Sequence, residues 1–405
     1  MVFLSFDAPY RSYATHIHHG FTRWGRYATM ISMSDAITDA LERAVQDDVF
    51  PGAVLLVQEG AVIRRCDVVG ASALLPSPDP PSQNPLPQDP MTRETLFDLA
   101  SLTKPIATAT AVLRLVHRGL LALDQPVARW LPPFLGEGKE RVTLFHLLNH
   151  SSGLPAWKPL YRAITPDEAG GANARLYEQI MAEPLVYPTG SQSIYSDLGF
   201  ILLGLIVEQA DGRPLDRLCR DELFAPLAMD STGFRPLDRP ELAARSIAAT
   251  EQCAWRGRLL RGEVHDENCF ALGGVSGHAG LFAPADDLAR FVAALLAADQ
   301  GRGKGPFAGI PPALFDQFLS RQSTPGSSWG LGWDTPSEPS SSGRWFSPRS
   351  CGHLGYTGTS LWIDRDRGWS VLLLTNRVHP TSRNVKISAF RPVIHDLVAE
   401  RFFKN

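Results

Sequence analysis

Apolar positions fall into distinct regimes along the chain. Ser34-Asp35 precedes Ala36, Ile37, Ala40, Leu41 and Val45, the spacing of an N-capped amphipathic helix. Gly52-Ala-Val-Leu-Leu-Val-Gln58 is a continuous apolar run and predicts a buried strand. Glu59-Gly60 makes a turn and 61–69 returns as a second strand, which completes a hairpin. Residues 75–90 are dense in proline and serine and predict an exposed, extended loop. Helical periodicity dominates 110–234, with caps and several Gly or Pro stops. Ser360-Leu-Trp-Ile-Asp364, a charged turn over 365–368, and Trp369-Ser-Val-Leu-Leu-Leu-Thr-Asn376 predict another hairpin, and 393–402 a closing helix.

Strands at both ends with helices between them predict an α+β fold. Its antiparallel sheet is completed by both termini and carries flanking helices, with a mainly helical insertion. The expected organisation is a loose tail over 1–33, an α/β lobe made of 34–109 and 235–405, and a helix-rich lobe over 110–234. No internal repeat is visible.

Composition narrows the function classes. At 405 residues, 44% hydrophobic and 20% charged, the chain reads as a globular enzyme with one large core or two lobes. A formal net charge of -3 with no basic stripe gives no footprint for nucleic acid, so a small molecule or short peptide is the expected partner. The five cysteines are scattered, without a C-x-x-C pair, and suggest neither a disulfide framework nor a zinc knuckle. No run of about 18 apolar residues predicts a spanning helix. The first 30 residues carry His16, His18, His19, Arg23 and Arg26 without an apolar core, unlike a secretory signal, and Met30 and Met33 offer alternative starts. A cytoplasmic location is expected.

Three segments carry candidate chemistry. The first is Phe97-Asp-Leu-Ala-Ser101-Leu-Thr-Lys104-Pro105, followed by Ala109, Val112, Leu113 and Val116 on one face and Gly119 as a stop. Proline is tolerated in a first helical turn, so Ser101 is placed at a helix N-terminus with Lys104 three residues on and on the same side. A serine hydroxyl needs an adjacent base, and a lysine serves as one only when neutral, a state that burial near a positive helix end favours. The competing reading is a capping serine with a solvated lysine.

The second segment, Pro188-Thr-Gly-Ser-Gln-Ser-Ile-Tyr195-Ser-Asp197, enters a helix marked by Leu198, Ile201, Leu202, Leu205 and Ile206. A tyrosine hydroxyl beside a lysine can shuttle protons to a leaving group. Otherwise Tyr195 packs a loop and Asp197 caps the helix; Asp197 can also be both cap and site residue. The third segment is Gly352-His353-Leu354-Gly355-Tyr356-Thr-Gly-Thr-Ser360. Its glycines allow a ligand backbone to approach the sheet edge, and the Tyr356 N–H can join that of Ser101 as an oxyanion hole. His265-Asp-Glu-Asn268 looks like a metal cluster, but neighbours in an extended chain point to opposite faces, and no metal site is predicted. His278 lines the pocket or is a hydrogen-bonded loop histidine. Trp329 is a pocket wall or plain packing.

Together with Thr143-Leu-Phe-His-Leu-Leu-Asn-His150-Ser-Ser-Gly153-Leu-Pro155, Phe224-Ala-Pro-Leu-Ala-Met229, Leu272-Gly-Gly-Val-Ser-Gly277-His278-Ala-Gly280-Leu-Phe282 and Asp287-Leu-Ala-Arg-Phe291, these segments resemble the serine β-lactamase/penicillin-binding-protein superfamily. The likeness runs from about 35 to 402. It extends to class C β-lactamases, D-alanyl-D-alanine carboxypeptidases and family VIII carboxylesterases.

The resemblance implies an acyl-enzyme at Ser101, with Lys104 as base and Tyr195 as proton-transfer partner. No cofactor is implied. In the third motif His353-Leu354-Gly355 stands where Lys-Thr-Gly or Lys-Ser-Gly is usual, and Asp197 stands where the second motif has Asn. A neutral histidine and a leucine bind a substrate carboxylate less well than lysine and a hydroxyl, and an anionic Asp197 would repel it. Asp197, His353, Leu354 and Gly355 are thus the expected substrate contacts. Small esters or amides are the expected substrates, with cell-wall peptides (carboxypeptidase or endopeptidase action) or weak β-lactam hydrolysis as rivals. A catalytically silent penicillin- or peptide-binding receptor is the alternative of another class; the presence of Ser101, Lys104 and Tyr195 argues against it.

Overall fold

The structure is a computed structural model that describes residues 36–74, 88–171 and 173–403. The tail expected over 1–33, the capping pair Ser34-Asp35 and the loop residues 75–87 lie outside the described residues.

Six strands form the main sheet: β1 (Gly52–Glu59), β2 (Val62–Leu74), β3 (Gln88–Pro90), β4 (Cys351–Leu354), β5 (Ser360–Asp364) and β6 (Trp369–Thr375). Their order is β3-β2-β1-β6-β5-β4, every pair antiparallel, so both ends of the chain complete one sheet. The central pairing sets Leu55 opposite Leu373 and Val57 opposite Val371.

The apolar run of β1 has no polar face because both of its faces are covered. Alternate residues point to opposite sides of a strand. Ala53, Leu55 and Val57, with Trp362, Val371 and Leu373, pack against the helices Ala36–Gln46 and Ile387–Phe402. Val54, Leu56, Leu361, Ile363, Leu372 and Leu374 join a much larger core on the other side, continuous with the helices Thr110–His117, Asp197–Asp211 and Ala285–Asp299. The α+β architecture is the expected one.

Three local expectations need correction. Gln88–Pro90 is not loop but a short edge strand, with Ala71 opposite Pro90, and Asp89 takes a 2.6 Å ion pair from Arg261. The closing helix starts at Ile387, ahead of Pro392. A proline there frees the carbonyl of Ser388, which is exposed, while Ile387, Arg391 and Ile394 anchor the first turns in the core. The segment after Ser101 is not a plain α-helix: Ala100–Leu102 is a 3₁₀ turn, Lys104–Ala109 winds as a π-helix, and Thr110–His117 is α-helical. Such wide turns concentrate at functional sites.

Candidate active site

The nucleophile segment leaves a short strand, Phe97–Asp98, that pairs with Leu281–Ala283. Ala100 then adopts φ +47°, a left-handed conformation that a residue with a Cβ rarely takes. Surrounding hydrogen bonds over-determine it. Its N–H donates to Asp98 Oδ1 at 2.8 Å, and its carbonyl accepts from Thr103 Oγ1 at 2.6 Å. The carbonyls of Asp98 and Leu99 accept from Thr357 Oγ1 (2.7 Å) and Thr359 Oγ1 (3.1 Å), which ties this turn to the end of β4. Asp98 is buried; desolvation pushes its carboxyl pKa up, against the pull of the His265 and Ala100 N–H groups.

Ser101 is not a helix cap, and Lys104 is not solvated. Lys104 is 0% exposed. Its Nζ donates to Ser101 Oγ at 2.9 Å and to the His278 carbonyl at 3.1 Å, and lies 2.7 Å from Asp197 Oδ1. The ring of Tyr195 covers the same nitrogen, 4.8 Å from Nζ to the ring centroid.

Tyr195 hydrogen-bonds Ser101 through its phenol. Burial, and then the charge of Asp197, hold that phenol well above its ordinary pKa, so it stays protonated. An aromatic box fixes the ring, with centroid distances of 4.6 Å to His150, 5.3 Å to Trp329 and 5.9 Å to His353. His150 is buried, and its Nδ1 accepts the Ser196 N–H at 3.1 Å, which places its proton on Nε2. Burial first, and then Lys104, push its pKa well below the usual value.

Asp197 needs two corrections. The helix cap is Ser196, whose Oγ accepts from the Gly199 N–H at 3.3 Å; Asp197 is the first helical residue. Its carboxylate faces Lys104, so its charge is matched inside the site and is not a bare repulsion toward substrate.

The third segment runs along the outer edge of the sheet. His353 is 2% exposed, and its Nδ1 bonds the Leu354 carbonyl at 2.7 Å. Burial, with Lys104 second, pushes its pKa down to about 3, so the ring is neutral. Leu354 beside it is half-buried.

Gly352 and Gly355 serve close contacts within the protein. A Cβ on Gly352 would lie 2.4 Å from the Trp362 ring, and one on Gly355 would lie 2.6 Å from the Leu99 carbonyl oxygen. Tyr356 is 43% exposed, with its ring between the His265 ring (5.6 Å) and the Arg377 guanidinium (4.4 Å). Arg377 Nε donates to the Tyr356 carbonyl at 2.8 Å, and Arg391 Nη2 to the carbonyls of Gly355 (2.9 Å) and Thr359 (2.8 Å).

The 265–268 segment is the start of a helix, not an extended strand. Asp266 caps Glu267–Ala271 through the Cys269 N–H and bonds His278 Nε2 at 2.9 Å. His265 bonds Glu251 at 2.9 Å, and Asn268 holds the Tyr161 N–H and the Lys158 carbonyl. His278 is 1% exposed, bonded at both ring nitrogens, and reaches Lys104 only through its carbonyl.

Sequence reasoning left Trp329 undecided and gave no role to His150, Arg377 or Arg391. For His150 a signal existed, since it lies within the His150-Ser-Ser-Gly153-Leu-Pro155 segment; the two arginines carried none.

A serine–lysine–tyrosine cluster around a fully buried lysine, at one edge of an antiparallel sheet flanked by helices, fits the class of β-lactamase-fold hydrolases. Residues 37–391 match the family model described as Beta-lactamase, and the chain belongs to that family. It is 36% identical over 367 residues to the N-acetylmuramyl-L-alanine amidase of Bacillus subtilis (strain 168), covering 82% of this chain and 78% of that protein. It is 33% identical over 319 residues to a protein of Salmonella schwarzengrund named "Putative D-alanyl-D-alanine carboxypeptidase", covering 73% of each. The unliganded simvastatin synthase LovD of Aspergillus terreus shares the fold, with a TM-score of 0.70 at 21% identity, covering 93% of this chain and 100% of that one. No helix among the described residues is long and apolar enough to cross a membrane.

Proposed function

We propose that the chain hydrolyses small esters or amides through an acyl-enzyme at Ser101. The observation that carries this reading is the 2.9 Å contact between Ser101 Oγ and the fully buried Lys104 Nζ. Buried lysines are rare and need a reason. A neutral Lys104 takes the hydroxyl proton as Oγ bonds to the substrate carbonyl carbon, and the π pair moves onto the carbonyl oxygen. The N–H groups of Ser101 and Tyr356 receive that oxyanion, and two arginines and two threonines hold the Tyr356 turn in place. Tyr195, protonated and bonded to Ser101, delivers a proton to the leaving alkoxide or amine. Water then attacks the acyl-enzyme as the same groups accept and return its proton.

The neutral His353 and aliphatic Leu354 present no charge to a substrate carboxylate, which favours uncharged esters and amides. A second reading follows from the relatives' names: if their substrates carry over, the scissile bond is an amide of a muramyl or D-alanyl peptide.

Incubation with a fluorophosphonate, followed by intact-mass analysis and peptide mapping, tests the mechanism. Labelling should fall on Ser101 and vanish in Ser101→Ala, whose fold should persist because the half-exposed hydroxyl packs in no core. Full turnover by that variant would refute the reading.

A further inference from the structure

Asp98 is a carboxylate only 2% exposed, and the mechanism above gives it no part. Both of its oxygens are engaged by backbone. Oδ1 accepts the Ala100 N–H at 2.8 Å, and Oδ2 accepts the His265 N–H at 2.6 Å, from a residue 167 positions further along the chain. Buried and engaged at both ends, the side chain does not reach substrate.

The distant donor is itself held in place. Arg256, also buried, donates to the carbonyls of Val264 (2.7 Å) and His265 (2.6 Å), and Glu251 holds the His265 ring at 2.9 Å. The next residue, Asp266, bonds the His278 ring, and the His278 carbonyl accepts from Lys104 Nζ. One braced segment thus reaches Ser101 through Asp98 and Lys104 through His278.

On its own side Asp98 holds the turn that presents the nucleophile. Ala100 sits at φ +47°, where the Cβ of an L-residue crowds its own backbone. Its carbonyl is tied by Thr103 Oγ1, and its N–H by Asp98. Relaxation of Ala100 to negative φ would swing the Ser101 N–H and Oγ away from the Tyr356 turn and from Lys104 Nζ.

We propose that Asp98 is a positioning residue for the nucleophile: its carboxylate clamps Ala100 in the left-handed turn against the braced His265 segment, and so fixes the Ser101 N–H and Oγ for acylation. The proposal rests on the reading of Ser101 as nucleophile given above.

The test is a double-mutant cycle of wild type, Asp98→Asn, Ala100→Gly and the double variant. It reads kcat/KM for a nitrophenyl ester and the rate of fluorophosphonate labelling. Asparagine keeps the shape but has one acceptor oxygen, so it loses one N–H bond and sets an NH₂ donor against a backbone donor. Asp98→Asn should lower both rates by about 10², the cost of a displacement near 1 Å at the reacting atoms. Glycine takes positive φ without the Cβ penalty and needs less help from Asp98. In the Ala100→Gly background the Asp98→Asn loss should therefore be about tenfold smaller, the worth of relieving one left-handed alanine. A carboxylate that served only the stability of the fold would give equal losses in both backgrounds. Equal losses overturn the proposal, as does an Asp98→Asn enzyme as fast as wild type. Should Asp98→Asn alone fail to fold, the double variant decides: regained cooperative melting and labelling support the clamp, and a double variant as unfolded as the single overturns it. Failure of the underlying reading shows separately, as labelling that persists in Ser101→Ala.

Discussion

Adding one methyl group at Gly355 should disable the site without touching any reacting side chain. The Cβ of Gly355→Ala would fall 2.0 Å from Thr359 Oγ1 and 2.6 Å from the Leu99 carbonyl oxygen, whereas ordinary contact begins at 3.4 Å. The threonine hydroxyl can rotate away, at the cost of its 3.1 Å bond to Leu99. The Leu99 carbonyl is backbone and cannot, so the two segments must separate by ~0.8 Å. Leu99 lies two residues before Ser101, and Gly355 immediately precedes Tyr356, so the strain spreads the two N–H groups assigned to the oxyanion. Overpacking of this kind costs about 1–3 kcal/mol of stability. Losing one oxyanion donor costs about 10²–10³ in kcat, and a misplacement near 1 Å about 10². The expected result is a kcat lower by about 10² with a KM changed far less, in a protein that still melts cooperatively. Gly368→Ala is the control: its φ is +73° and no atom lies within 4 Å of an added Cβ, so it should lose about 1–2 kcal/mol of stability and no activity. A Gly355→Ala enzyme within threefold of wild-type kcat would refute the placement of the oxyanion turn.

Lys104→Ala should slow acylation by about 10²–10⁴, and Tyr195→Phe should slow acylation, deacylation or both; stopped-flow measurement of the two phases checks each, and unchanged phases in Tyr195→Phe would reduce that ring to packing. Wild type should turn over nitrophenyl esters with a higher kcat/KM than chromogenic cephalosporins. His353→Lys with Leu354→Thr should shift that ratio toward the cephalosporin by about tenfold to a hundredfold, the worth of one charge-assisted hydrogen bond. A wild type already faster on the cephalosporin would show that 353 and 354 do not govern selectivity.

Much of the fold is written in local periodicity. The unbroken apolar run at 52–58 and the matching runs at 360–364 and 369–376 require strands covered on both faces, and the structure covers them with two helices on one side and the helix Ala285–Asp299, with the larger core behind it, on the other. Ser101 and Lys104, three apart on one helical segment, meet because that spacing brings side chains to the same side, whichever helical winding the backbone adopts. Contacts across the fold carry no such local mark. The Lys104 bond to His278 spans 174 residues and the Thr359 bond to Leu99 spans 260, so only packing could reveal that a backbone carbonyl faces the lysine nitrogen and that Gly355 is small to let a strand pass the nucleophile turn. Asp197 shows the division most clearly. Its position at a helix entry was legible, but a carboxylate there can cap, bind substrate or pair with a cation. Which of these it does depends on what the tertiary structure places opposite it: here the fully buried Lys104, at a position where an unpaired charge would be costly.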